Sequence, residues 1–333
     1  MSAAQRPDFI RSWTALEGAD DAAYEGTTEL LSIGAPLGRA LGLTRIGIHH
    51  ERLPAGRRTS YPHAESTEEE FVYVIEGHPD AWLDGRLYPL QPGDAVGFPA
   101  GTGLCHSILN NSDKEARLLV VGERPKPENR IYYPRNLEQR ARRADWWEDV
   151  PPRPMGPHDG LPDRGKRQSA KESTPLSCIL NWQGHEDPAS HYDDDDELMQ
   201  IGVDFSDRFG ITRIGIHHGR LLPGRRSSYP HAESLEEEFV FILEGAPDVW
   251  IDGHLHRLQA GDAVAFPAGT GISHCVINNA DTDTRMIVIG QRRVPGNSLF
   301  YPLNPEQKAV QPSWWHDAPK RKLGSHNGRP DKR

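Results

Sequence analysis

The chain has 333 residues, 36 % of them hydrophobic and 26 % charged, with a formal net charge of −10. That length has room for about two domains, and so acidic a chain does not build the basic groove a phosphate backbone needs, which excludes nucleic acid as an expected partner. Its 32 glycines and 28 prolines follow no collagen period, so they mark many turns and favour short strands over long helices.

Met1 to Trp13 shows no basic stretch followed by an apolar run, so no signal peptide is expected. No apolar run approaches the roughly 18 residues of a membrane span. The three cysteines, Cys105, Cys178 and Cys275, are odd in number and non-equivalent in position, which fits a reducing, cytoplasmic setting. Cys105 and Cys275 adjoin histidines of interest but have the opposite strand parity, so core thiols are expected.

An internal repeat organises everything else. His63 matches His231, His106 matches His274 and Trp147 matches Trp315, each at an offset of 168. Trp13 and Trp182 correspond after a one-residue slip. The expected division is a lead-in over 1–28, a first domain over 29–163, a linker and second lead-in over 164–196, and a second domain over 197–331. The acidic run Asp193 to Asp196 reads as a solvated surface loop.

Within a unit the periodicity is that of strands. Ile46, Ile48 and His50 alternate with Gly47 and His49. Leu53 to Gly56 is a turn, after which alternation places Arg57, Thr59, Tyr61, His63 and Glu65 on one face, with Pro62 suggesting an edge or bulge. Phe71 to Ile75 is a β-branched and aromatic strand. Glu70 shares the parity of Val72, Val74 and Glu76, whereas Phe71, Tyr73 and Ile75, like Phe239, Phe241 and Leu243, face the other way and are expected to pack outside, against the other unit. Asp84-Gly85 is a hairpin turn. Short strands follow over Ala95 to Phe98, His106 to Asn110 and Arg117 to Gly122. Tyr132 to Trp147 is expected to form an arm with a helix over Leu137 to Ala144. The unit is all-β, a sandwich or small barrel.

A histidine, a carboxylate two residues on and a second carboxylate ahead of an apolar strand are metal-ligand material. In the first unit they are His63, Glu65 and Glu70, with His106 arriving from a distant strand. In the second they are His231, Glu233, Glu238 and His274. The plainer alternative is a charged surface turn, which the wrong parity of Glu69 and Glu237 favours for those two.

Gly56, His63, Glu70 and Gly77, then Gly93, Pro99, Gly101, His106 and Asn110, resemble the two motifs of the cupin superfamily. Gly224, His231, Glu238, Gly245, Gly261, Pro267, Gly269, His274 and Asn278 repeat them. The resemblance implies two tandem jelly-roll β-barrels, a bicupin, often with a metal inside. Both motif spacings are slightly longer than usual, and the second histidine of the family's HXH is Glu65 or Glu233 here. The implied site is two imidazoles and two carboxylates around a divalent ion, with Mn, Fe or Zn preferred over Cu. Without metal, Glu65 and Glu70 would crowd each other and one should stay protonated.

Arg57 and Tyr61, with Arg225 and Tyr229, are candidates to bind substrate. His49 and His50, with His217 and His218, are candidates to stand in as a ligand or to support the ligands from behind, and a ligand carboxylate or Glu76 would serve as base. The resemblance implies a metal-dependent enzyme of dioxygenase, decarboxylase or isomerase type on a small organic acid, phenol or sugar-like molecule. The alternative is a non-catalytic binding or sensing cup, with or without metal. A homo-oligomer is compatible with either.

Overall fold

The computed structural model describes residues 6–163, 168–192 and 195–331. Each unit is a pair of facing antiparallel sheets. In the first, the large sheet runs in the order Ile179–Asn181, Asp94–Phe98, Glu70–Glu76, Ala116–Glu123, Ile46–Leu53, Ile33–Ala35. The small sheet is Arg86–Pro89, Asp80–Leu83, His106–Leu109. The second unit repeats both sheets, centred on Glu238–Glu244 and on Asp248–Ile251. Asp84 and Gly85 both take positive φ, 45° and 80°, as the two central positions of a type I′ hairpin turn require.

Alternation along the central strand separates two cores. Val72 and Val74 point into the first barrel with Leu53, Leu118 and Ile108. Phe71 and Tyr73 point out, and with Phe239, Phe241, Phe205 and Ile287 build one continuous core between the barrels. Apolar burial on both faces of the sheet therefore holds each barrel together and joins it to the other.

The two lead-ins are structural strands, and each crosses over. Ile10–Ser12 pairs with Asp262–Phe266 of the second barrel. Ile179–Asn181, inside the expected linker, pairs with Asp94–Phe98 of the first. Their tryptophans then stack on buried histidines at the interface, Trp13 on His50 at 4.0 Å and Trp182 on His218 at 4.6 Å between centroids.

The arm expectation holds: Ile131 bridges Trp146, and Trp147 packs with Trp82, Leu87 and Cys105. Its helix is a shorter 3-10 turn, Leu137–Ala141. Of the acidic run, Asp193 and Asp194 lie outside the described residues, and Asp195 accepts a hydrogen bond from the Tyr229 hydroxyl at 2.6 Å.

Candidate metal centre

Three elements bring the site together. His63 lies just ahead of the two-residue strand Ala64–Glu65 and bridges His106 through the backbone. The mutual hydrogen bonds, His63 N–H to His106 O at 3.1 Å and His106 N–H to His63 O at 2.8 Å, set the imidazoles side by side, 4.7 Å between centroids. Glu70 opens the central strand opposite them. Its Oε2 lies 2.8 Å from His106 Nε2 and 3.4 Å from His63 Nε2. The second unit repeats this with Glu238 Oε2 at 2.9 Å from His274 and 3.5 Å from His231. Phe98 stacks flat on His106, 3.6 Å between centroids, and Phe266 does the same to His274.

The ring orientations are fixed from behind by backbone. His63 Nδ1 meets Tyr61 O at 2.9 Å, and His106 Nδ1 meets Leu104 O at 3.1 Å. A carbonyl oxygen only accepts, so each Nδ1 carries the hydrogen and a neutral ring presents its Nε2 lone pair to the cavity. That is the tautomer a metal ligand needs. His231 and His274 are held likewise by Tyr229 O and Ile272 O. Two lone pairs facing one carboxylate require a cation among them, either a proton on an imidazole or a metal ion. The three donor atoms of each group lie within 4.8 Å of one another. The donor set thus fits a divalent transition metal.

The charges sort as crowding requires. Burial alone would lower the His63 imidazole, but the Glu70 carboxylate beside it, with Glu65 further off, raises it to about 9. Burial lifts Glu65, and the Glu70 charge adds to it, to about 8. Burial also acts to raise Glu70, but His63 and His106 outweigh it and hold this carboxyl well below the usual range. Between the two crowded carboxylates, Glu65 is the one that keeps its proton.

Comparison with known proteins identifies the scaffold. A family model for the cupin domain matches residues 49–122 and again 217–290. Both halves of this chain are cupin domains. Among solved structures with the same fold is the formate complex of Lactobacillus farciminis oxalate decarboxylase. It is 15 % identical with a TM-score of 0.55, over 93 % of this chain and 92 % of that one. Bacillus subtilis oxalate decarboxylase at pH 4.6 is 17 % identical with a TM-score of 0.53, over 90 % of this chain and 81 % of that one. Among curated proteins, polyketide synthase CurC of Streptomyces cyaneus is 38 % identical over 64 residues, 19 % of this chain. The match spans only 40 % of that relative.

In both cupin domains the group of side chains that could hold a metal ion has three members where the sequence suggests four. Glu65 Oε1 stands 4.0 Å from His63 Nε2, and its other oxygen is taken by the Asn129 side-chain amide. Glu233 is held the same way by Asn297. Each of these glutamates flanks the three-residue group.

The expected substrate contacts do not line the cavity. The stretch after Gly56 is bent between Thr59 and Pro62, so strict alternation fails. Arg57 turns outward to an ion pair with Asp20 at 2.5 Å, in a separate surface hollow with Glu29 and Leu161. Arg225 likewise reaches the Met199 carbonyl, at 3.4 Å. Tyr61 stacks on Tyr24 and Tyr229 on Tyr192, at 3.8 and 3.9 Å.

The expected supporting histidines are also elsewhere. His50 and His218 are committed to the interface tryptophans, and His49 is exposed. His217 is half-buried beside Asp204. The backbone carbonyls do the supporting. Glu76 points to solvent in an ion pair with Arg117. Cys105 and Cys275 are buried, and burial pushes each thiol up to about 12, which suits inert core residues.

The first cavity, about 260 Å³, is lined by the ligand group together with Tyr24, Glu51, Thr59, Ser60 and Phe98. Tyr24 and Asn129 could have been found from the repeat, since Tyr192 and Asn297 answer them at the same offset. Glu51 has no such counterpart. Burial, with some help from the Glu70 charge and against the Ser32 hydroxyl, raises it to about 7.

Proposed function

We propose that this bicupin is a metal-dependent enzyme acting on a small organic acid, with decarboxylase, dioxygenase and isomerase chemistry as the reaction classes. The observation that carries the reading is the convergence of two backbone-fixed Nε2 lone pairs and one carboxylate in each barrel. His63, Glu70 and His106, and His231, Glu238 and His274, would hold an ion, with Mn, Fe or Zn suited to two imidazoles and an oxygen donor. A bound ion would supply Lewis-acid or redox chemistry at whatever positions the protein leaves open.

The chain's own residues do the rest. Val72, Phe98, Ile108 and Val120 keep the wall of the first cavity apolar and limit water. Thr59, Ser60 and Tyr24 also line it and offer hydroxyls for orientation. Glu65, carrying a proton near neutral pH, lowers the negative charge an anionic substrate meets. The volume, about 260 Å³, is below that of drug-sized pockets and favours a small acid over a larger phenol or sugar. The shared fold with oxalate decarboxylases supports the substrate class by analogy. We also place the protein in the cytoplasm, because all three cysteines are unpaired.

The test is metal analysis of protein purified without a histidine tag, followed by turnover assays of the loaded protein with small keto and hydroxy acids. Metal in both barrels with turnover of one acid class supports the reading. Metal-free barrels carrying a trapped small molecule would instead make them binding cups.

A further inference from the structure

The two cups share their ligands but differ at one matched pair of positions. In the first, Ser32 lies just ahead of the strand Ile33–Ala35, which pairs with the strand carrying Glu51, and the Ser32 hydroxyl donates to Glu51 Oε2 at 2.7 Å. At the same offset the second has Gln200 and Gly219. A Cβ placed on Gly219 would meet Gln200 Oε1 at 2.7 Å, so the long amide fills the room a side chain at 219 would need. That Oε1 is buried without a hydrogen-bond partner. Glu51 lines the first cavity with His63, Glu70 and His106, whereas only Gln200 of the corresponding pair lines the second. The second cavity is also smaller, about 150 Å³ against about 260 Å³.

We propose that the cups are specialised for different ligands. The first takes a small organic acid that also bears a hydroxyl, with Glu51 accepting the hydroxyl hydrogen. The second takes only a smaller acid lacking that requirement. This rests on the metal reading given under Proposed function, because the ion is what would hold the ligand's carboxylate in either cup. Glu51 Oε2 is already taken by Ser32, while Oε1 receives no hydrogen bond from the described residues, which leaves one acceptor oxygen on a residue that lines the cavity. A hydrogen bond accepted in a cavity shielded from water, and left unmade by an acid without the hydroxyl, is enough to discriminate by about tenfold or more. Ser32 and Glu51 act together, as do Gln200 and Gly219, because Gln200 and a side chain at 219 exclude each other.

The experiment uses the full chain loaded with manganese, its metal content measured, and calorimetric titration with lactate and with propionate, which differ by one hydroxyl. The expected result is one site per chain that prefers lactate by about tenfold or more. The double variant S32Q/E51G should lose that site, and Q200S/G219E should gain a second. Glu51→Leu, close in size, serves if the first double variant does not fold, and it too should lose the preference. Two loaded cups with equal preference, or a preference untouched by these changes, would overturn the inference alone. A chain that takes up no manganese and binds neither acid would instead overturn the metal reading beneath it.

Discussion

The carboxylate of Glu69 in the first cupin domain accepts hydrogen bonds from both the backbone N–H and the hydroxyl of Thr212 in the second, at 2.8 and 2.9 Å. Its other oxygen takes the N–H groups of Arg213 and Ile214. Glu237 does the same to Thr44, Arg45 and Ile46 of the first domain. Each domain thus satisfies backbone donors of the other, those of Ile46 and Ile214 buried, at the start of the strand that enters the shared core. Glu69→Ala would leave these donors unpaired. The expected outcome is a loss of about 3 kcal/mol of unfolding free energy with metal stoichiometry unchanged, measured by denaturant titration and metal analysis.

The exchanged lead-ins make a second prediction. Because Ile10–Ser12 completes the sheet of the second domain, deleting residues 1–18 should lower the thermal stability of that domain and leave its ligands in place. Hydrogen exchange should report the loss first in Asp262–Phe266, the strand left as a bare edge.

The triplet Glu68-Glu69-Glu70 shows how far the sequence could be read. Parity sends Glu70 inward and Glu69 to the other face, but the reading of Glu69 and Glu237 as a charged surface turn fails, because both are buried against the other domain. What parity cannot say is what an outward group meets, and Glu69 meets the other domain. The same limit hid the strand role of Ile179–Asn181, because a three-residue strand at a sheet edge carries no period of its own. Alternation failed where the chain bends before Pro62, which moved Arg57 and Tyr61 out of the cavity. It put Glu65 beside the site, but not the competing hydrogen bond from Asn129, 64 residues away. Glu51 is not legible in the repeat, because Gly219 stands at its offset and the two units share nothing there.

Protons compete with metal here, and the sign is fixed by the histidines. His63 and His231 are raised from 6.5 to about 9 in the metal-free fold. The stability they contribute is fully present below pH 6.5 and is lost as pH rises through about 9. Glu65, raised from 4.5 to about 8, acts in the same direction, its contribution being lost as pH rises through about 8. The metal-free protein should therefore show a falling unfolding temperature between pH 6.5 and 9. Metal has to displace one such proton per cup, so affinity should rise by about tenfold per pH unit between roughly pH 7 and 8.5. A buffered chelator titration measures this.

Ligand substitutions should separate the three-residue group from its neighbour. His106→Ala should leave one ion per chain, held in the second domain, and His274→Ala one ion held in the first. Glu65→Ala should keep both ions and weaken the first by about tenfold at most, because this carboxyl flanks the group without a hydrogen bond to any of its members. Metal content by elemental analysis, with competition for affinity, distinguishes these outcomes.

The most direct test is anomalous diffraction from crystals of the full chain grown with manganese. The arrangement of His63, Glu70 and His106, and of His231, Glu238 and His274, predicts two anomalous peaks per chain, each bonded to both Nε2 atoms and the intervening carboxylate. No peak in either cup at saturating metal, or peaks bound away from these histidines, would contradict it.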